Sequence, residues 1–286
     1  MKLRGLLIAH ALGLVVAACS NGGSTPSPSA PPEPSVVPPS AAASEAPNAK
    51  PASLTIFAAA SLKNVLADAE IAYEAAKPGT DLTIATDSSA ALETQIEQGA
   101  PADLFLSADT TNPQKLVEAG LAAGDPVPFA GNKLTVIVPT GNPAGIQSPA
   151  DLAKDGIRVI AAGDEVPITK YAKQLVEKLA AESADAAAFQ AAYATNVASK
   201  EDNAGQIVSK IELGEGDAAI VYVTDAAASD EVTPIEIPDA LNVPATYTGV
   251  VVGASPHDDA AAMFLEWLTG PEGQTVLSSF GFQPPP

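Results

Sequence analysis

The sequence predicts an α/β fold, with parallel sheets covered by helices, and three observations carry that expectation. Short β runs alternate with helical periods along most of the chain, the order that strand–helix–strand units produce. In the first helical period Leu62, Val65, Leu66 and Ala69 fall on one face, as a helix packed on a sheet requires. With 286 residues and 47% apolar content, the chain can fill one large core or two medium ones.

The first residues stand apart from this pattern. Lys2 and Arg4 precede an apolar stretch, residues 6–18, that is too short to span a bilayer and has the length of a signal-peptide core. Val16-Ala17-Ala18-Cys19 resembles a bacterial lipobox, in which the cysteine becomes the lipid-bearing first residue of the mature chain. Cys19 is the single cysteine, so its lipidation leaves no disulfide and no thiolate metal ligand. From Ser20 to Ala52 the chain is Pro, Ser and Ala with almost no large apolar residue and cannot bury enough surface to fold. It reads as a tether, reaching at most about 100 Å if extended at roughly 3 Å per residue. The expected division is therefore a signal peptide over 1–18, a lipidated Cys19 with its tether over 19–52, and a folded part after it. The formal charge is −20, and loss of Lys2 and Arg4 makes it more negative. No cluster of Lys and Arg offers a face to phosphates, which argues against nucleic acid and anionic membrane surfaces as partners.

In the folded part the β runs 54–57, 81–85 and 104–107 are followed by helical periods over 61–76, 90–98 and 113–119. A second series of such segments runs 133–138, 157–161, 167–179, 189–193, 203–212 and 218–222. Four junctions look alike. Ser61 stands between strand and helix, Ser88-Ser89 between "LTIAT" and "AALETQI", and Pro167 holds a first helical position after "IRVIAA". Asp202-Asn203 open a helix in "SKEDNAGQIVSKIE". Each junction taken alone reads as an N-cap, since Ser, Asp and Asn accept from first-turn amides and Pro suits the first turn. In α/β sheets, however, ligands lie beyond the carboxyl ends of strands, where helices begin. The three alanines at 58–60 would let backbone approach such a ligand closely.

Together, "FAAASL", "SSAALETQIEQGAPADLFLSAD", "GDEVPITKYA" and "IVYVTDA" resemble the periplasmic molybdate-binding proteins, the substrate-binding subunits of molybdate ABC transporters. The resemblance runs from Leu54 to Phe282, and "FLEWLTGPEGQTVLSSFGF" looks like the closing helices of the wider class. It implies a two-lobed periplasmic-binding-protein fold of class II type, with an anion in the cleft between lobes and a hinge of two crossovers. The first lobe would comprise 53–131 and 245–286, the second 132–244. It also implies an extracytoplasmic, lipid-anchored, monomeric protein without catalytic activity or cofactor, which passes molybdate or tungstate to an ABC permease. Its oxyanion ligands correspond to the hydroxyls and amides of Ser61 and Ser89, the amides of Ile168 and Asn203, and the hydroxyl of Tyr222. Two positions depart from the family: Ile168 and Thr169 stand where small residues are frequent, and Asn203 where an aliphatic residue is common. "GAPADLFLSAD" is expected to be scaffold.

The chemistry of such a site needs no Lys or Arg. Helix N-termini present unpaired amides and roughly half a positive charge each. The many acidic residues act at a distance, through solvent that screens over about 8 Å. Asp87, Asp164 and Asp202 lie near the junctions and could serve a protonated anion as acceptors, or simply cap helices. A sister binding protein for sulfate, chromate or a small organic acid is the alternative. A serine hydrolase would need a base, and beyond the signal His257 is the one histidine, placed in a turn opening a late helix. No Gly-rich phosphate loop with Lys and no His or Cys set with metal-ligand spacing occurs. Met263 and Trp267, four apart, read as core.

Overall fold

A computed structural model describes residues 52–286; the expectations for residues 1–51, Cys19 included, lie outside it. Two five-stranded sheets are each covered by helices. The chain begins with β1 (Ala52–Ala59), a 3-10 turn (Ala60–Leu62) leading into α1 (Lys63–Ala76), β2 (Thr80–Asp87), α2 (Ser89–Glu97), β3 (Leu104–Ser107), α3 (Thr111–Glu118) and β4 (Val127–Asn132). It continues through β5 (Leu134–Pro139), β6 (Val159–Ala162), α4 (Pro167–Glu182), α5 (Ala186–Asn196), β7 (Val197–Glu201), α6 (Ala204–Glu212), β8 (Ala218–Tyr222), α7 (Val223–Ala227) and β9 (Val232–Ile235). It closes with β10 (Ala245–Val251), α8 (Asp258–Thr269) and α9 (Pro271–Ser279).

The strand orders are β2-β1-β3-β10-β4 and β7-β6-β8-β5-β9. The chain passes from the first sheet to the second at Lys133 and returns between Ile235 and Ala245. The architecture is the two-lobed α/β one, with two crossovers. One feature of the sequence expectation is corrected: neither sheet is wholly parallel. β10 runs antiparallel to both its neighbours, and so does β5. These are the strands that begin just after a crossover. A chain arriving from the other lobe enters at the edge where β1, β3, β6 and β8 end, so it must run back against them. Strands β4, β7, β9 and β10 were not among the β runs read from the sequence.

Alternation along β1 sends Leu54, Ile56 and Ala58 to one face, with Leu62, Leu66 and Tyr73, and Phe57 to the other, with Leu92, Ile96 and Phe105. Helices α8 and α9 close the first face. Tyr73 meets Phe264 and Trp267 edge-on at 4.8 and 5.2 Å. Trp267 thus packs on the core while its indole N–H donates to Glu272 at 2.9 Å. Met263 does not share that role. It is 37% exposed, because Ala261, Phe264, Leu265 and Leu268 form the buried stripe of α8. No helix among the described residues is long and apolar enough to cross a membrane.

Candidate functional site

Sheet register sets the site. β1 pairs with β2 in parallel from Ala52↔Thr80 to Ala59↔Asp87, so the two strands end level and hand over to Ser61 and to Ser88-Ser89 side by side. β3 ends level with them at Ser107, since Leu106 pairs with Ala58, and Ala108 follows it. In the second sheet Ala162 pairs with Glu201, which levels the Pro167 and Asn203 junctions, and Tyr222 closes β8 at the same edge opposite Leu134. All five residues expected from the sequence, Ser61, Ser89, Ile168, Asn203 and Tyr222, line one narrow cavity of about 10 Å³ between the sheets. Ala59, Ala60 and Ala108 bring backbone to its wall, and no Lys, Arg or His stands among its lining residues.

The four helix starts are capped unequally. The 3-10 turn leading into α1, α2 and α4 have no side-chain hydrogen bond at the N-cap. Their first-turn amides lack the acceptor that an ordinary cap would offer, and these amides carry the positive end of the helix dipole. At α6 the cap is conventional: Asn203 Oδ1 accepts from the Gln206 amide at 3.0 Å. The other end of that side chain donates to Asp87 Oδ1 at 3.3 Å, so Asn203 offers the cavity backbone rather than its amide side chain. This bond crosses from one lobe to the other. Others do so too, among them Lys170 Nζ to Thr111 Oγ1 at 3.1 Å, Tyr171 OH to the Ala108 carbonyl at 3.4 Å and Asn132 Nδ2 to Thr224 Oγ1 at 2.9 Å.

Each hydroxyl has a distinct setting. Ser89, 1% exposed, accepts the Ala108 amide proton at 3.1 Å, which leaves its own proton to donate. Ser61 Oγ lies 2.9 Å from Tyr247 OH. Thr169, beside Ile168, spends its hydroxyl on the carbonyls of Ala162 and Gly163 at 3.2 and 2.7 Å, bracing the loop into α4. Ile168 itself is 2% exposed and belongs to the core. Tyr222 is 1% exposed, and its hydroxyl finds no partner among the described residues. Its ring meets Tyr171 and Tyr247 edge-on at 6.2 and 5.6 Å. Burial, with Tyr247, Tyr171, Asp225 and Asp109 nearby, holds the Tyr222 phenol well above its ordinary pKa, so it remains a proton donor. Burial and the Asp109 carboxylate likewise push Tyr171 up to about 12.

Of the three acids near the junctions only Asp87 lines the cavity. Its Oδ1 accepts from the Ser88 amide at 2.7 Å as well as from Asn203. Asp164 is exposed and paired with Lys200 and Lys173 at 2.8 and 3.0 Å, which lower its pKa to about 2. The amide of Asp202 bonds Gln206 Oε1 at 3.2 Å. His257 opens α8 with Nδ1 3.3 Å from Asp103 and is not among the cavity's residues. Among the described residues no group of three or more His, Cys, Asp or Glu is placed to hold a metal ion.

Four residues escaped the sequence reading. Ala108, at the end of the stretch expected to be scaffold, holds Ser89 by its amide. Tyr171, Tyr247 and Asn132 stand close behind the cavity, and the nearest local signal is that Asn132 and Tyr247 flank the two crossovers.

Comparison with known proteins gives a consistent picture. Residues 54–283 match the family of bacterial extracellular solute-binding proteins. The molybdate-binding protein ModA of Mycobacterium bovis is 32% identical over 234 residues, covering 82% of this chain and 85% of that one. YvgL of Bacillus subtilis, described as a candidate ABC transporter substrate-binding lipoprotein, is also 32% identical, covering 82% and 87%. Among solved structures, the substrate-binding domain of a candidate molybdenum ABC transporter from Clostridium difficile superposes with TM-score 0.61 at 28% identity, covering 81% of this chain and 98% of that one. The sulfate-binding protein SubI of Mycobacterium tuberculosis shares the fold, with TM-score 0.72 at 24% identity over 81% and 86%.

Proposed function

The chain belongs to the bacterial extracellular solute-binding proteins, and from that membership we propose that it captures molybdate outside the cytoplasm and delivers it to an ABC importer. The observation that carries the reading is the Tyr222 hydroxyl, buried and without a protein partner at the wall of a cavity ringed by helix starts. An unpaired buried hydroxyl costs about 1–3 kcal/mol, which an oxyanion seated in the cavity would recover by accepting its proton. Uncapped amides of three helices and the Ser61 and Ser89 hydroxyls point the same way. A tetrahedral dianion matches such a set, because fixed dipoles supply positive potential without a cation.

The ligand set we assign is Ser61 and Ser89 through hydroxyl and amide, Ile168 and Asn203 through backbone, and Tyr222 through its hydroxyl. Tungstate, nearly the same size, belongs to the same reading. The protein acts as a binder and not an enzyme: the hydrogen-bond partners of Ser61 and Ser89 are Tyr247 and an amide, neither of them a base. It works as a monomer, lipid-anchored through Cys19 with residues 20–52 as tether.

Calorimetry of the ligand-free protein tests this against molybdate, tungstate, sulfate and phosphate. Molybdate and tungstate should bind with affinities within a few-fold of each other. Sulfate, smaller, leaves donors unpaired at about 1–3 kcal/mol each and should bind at least about tenfold more weakly. Sulfate affinity equal to that for molybdate would make the protein a general oxyanion binder, and no binding of any of the four would overturn the reading.

A further inference from the structure

We infer that Tyr247, held by Asn132, fixes the direction of the Ser61 proton and so makes the pocket selective for oxyanions that carry no proton of their own. The inference rests on the oxyanion reading above and adds a pair of residues that do not touch the ligand.

Asn132 is the last residue before the first crossover. Its Oδ1 accepts the Lys133 amide proton at 2.9 Å, which settles which end of the side-chain amide is nitrogen. Its Nδ2 can therefore only donate, to Thr224 Oγ1 at 2.9 Å and to Tyr247 OH at 3.4 Å. Tyr247 is wholly buried, its ring held edge-on by Phe129, Tyr222 and Phe282 at 6.2, 5.6 and 5.4 Å. With an Asn132 proton on its oxygen, the single phenol proton is directed at Ser61 Oγ, 2.9 Å away. Ser61 must then accept from Tyr247, and its own proton is left for the cavity it lines. Ser89 reaches the same state more simply, since the Ala108 amide can only donate to it.

An anion without protons thus meets hydroxyls already turned to donate. Hydrogen phosphate brings a proton that needs an acceptor. If Ser61 turns its own proton away from the anion to accept it, that proton goes back to Tyr247, and the phenol proton then faces the Asn132 N–H. Chains of this kind lose more than one bond when reversed. Asp87, the one carboxylate at the cavity, takes two donors on Oδ1, and whatever its Oδ2 accepts is the same in wild type and in Tyr247→Phe, so the comparison of the two reads the Ser61 proton alone.

The test is a double-mutant cycle by calorimetry, with molybdate and inorganic phosphate as probes, on wild type, Tyr247→Phe, Ser61→Ala and the double variant. Tyr247→Phe keeps the ring and its contacts, and ligand-free thermal unfolding checks the fold. For molybdate, Tyr247→Phe should weaken binding by about 5-fold and Ser61→Ala by about 10-fold, with the double variant no weaker than Ser61→Ala alone. The molybdate-to-phosphate affinity ratio should fall by about 5-fold or more in Tyr247→Phe, a change that a merely structural role would not produce. Should Tyr247→Phe not fold, Asn132→Ala in the same cycle reads the relay one bond further back, again with sub-additive losses. Losses that multiply, or an unchanged ratio, would overturn the relay while leaving the proposed function standing. A wild type that binds no oxyanion would overturn both.

Discussion

In the first lobe the two hydroxyls assigned to the ligand are each backed by another group, Ser61 by Tyr247 at 2.9 Å and Ser89 by the Ala108 amide at 3.1 Å. In the second lobe the buried Tyr222 hydroxyl has no partner among the described residues. The lobes share one strand order with one reversed strand each, so the contrast does not arise from topology. It teaches that the first lobe holds its donors ready in any state, whereas the second has one whose bond forms only when an acceptor enters. A group that gains its partner only in the closed, loaded state favours that state over the others, and so contributes to closure as well as to affinity.

The sharpest way to break this comparison is Tyr222→Phe. The ring and its contacts with Tyr171 and Tyr247 stay, and only the unpaired hydroxyl goes. Molybdate binding should weaken by about 1.5–3 kcal/mol, the range for a hydrogen bond to a charged group, more than for Ser61→Ala. The ligand-free protein should respond in the opposite sense. Without a hydroxyl to strand, closure costs less, so small-angle scattering should give a radius smaller than that of the ligand-free wild type. Undiminished molybdate affinity would remove Tyr222 from the site.

The four helix starts were legible because small polar residues between a β run and a helical period are a local pattern, and a parallel register lines such junctions up without further information. Tyr222 was legible from the family resemblance and its place at the end of an apolar run. What lay behind these residues was not. Ser61 and Tyr247 are 186 positions apart and Asn132 and Tyr247 are 115 apart, and no periodicity links residues brought together by a crossover. The reversed direction of β5 and β10 was hidden for a related reason: a buried strand reads the same whichever way its neighbour runs. Likewise no local pattern shows that the Asn203 side chain is taken up by Gln206 and Asp87.

A smaller effect should separate the lobes by pH. Asp225, on α7 of the second lobe, is buried and accepts only the Tyr222 amide, at 3.4 Å; burial lifts its pKa to about 7 against that single stabilising bond. The Tyr222 and Tyr247 phenols lie near it, and Lys63 and Glu212 line a neighbouring cavity with it. Its folded pKa is raised, so the native state holds a proton that the unfolded chain releases. The stability this confers is full below about pH 4 and is lost as pH rises to about 7. A bound dianion disfavours the ionised carboxylate further, so molybdate affinity should fall by a few-fold between about pH 6.5 and about pH 8.5. Asp225→Asn should flatten both profiles in calorimetry and thermal unfolding. An equally steep fall in the variant would assign the pH dependence elsewhere.

The smallest effect on affinity is expected at Ile168, and it tests the comparison from its other side. In the assignment proposed above, the second lobe contributes Tyr222 through a side chain but Ile168 through its backbone, at the second position of a helix whose cap makes no side-chain bond. The isoleucine side chain is 2% exposed and packs in the core, so it anchors α4 and leaves the amide to face the cavity. Ile168→Ala keeps the amide and leaves a hole, which should lower stability by about 2–5 kcal/mol. Molybdate affinity should change by less than about threefold, because α4 remains held by Leu175, Val176 and Leu179 and by the Thr169 hydroxyl on the loop before it. Tyr222→Phe and Ile168→Ala are thus opposites, one losing affinity while its fold holds and the other losing stability while its site holds. Calorimetry beside thermal unfolding on the two variants reads both axes. If Ile168→Ala abolishes binding while still folded, the cavity depends on the shape of that side chain, and the division into side-chain and backbone donors fails at this position.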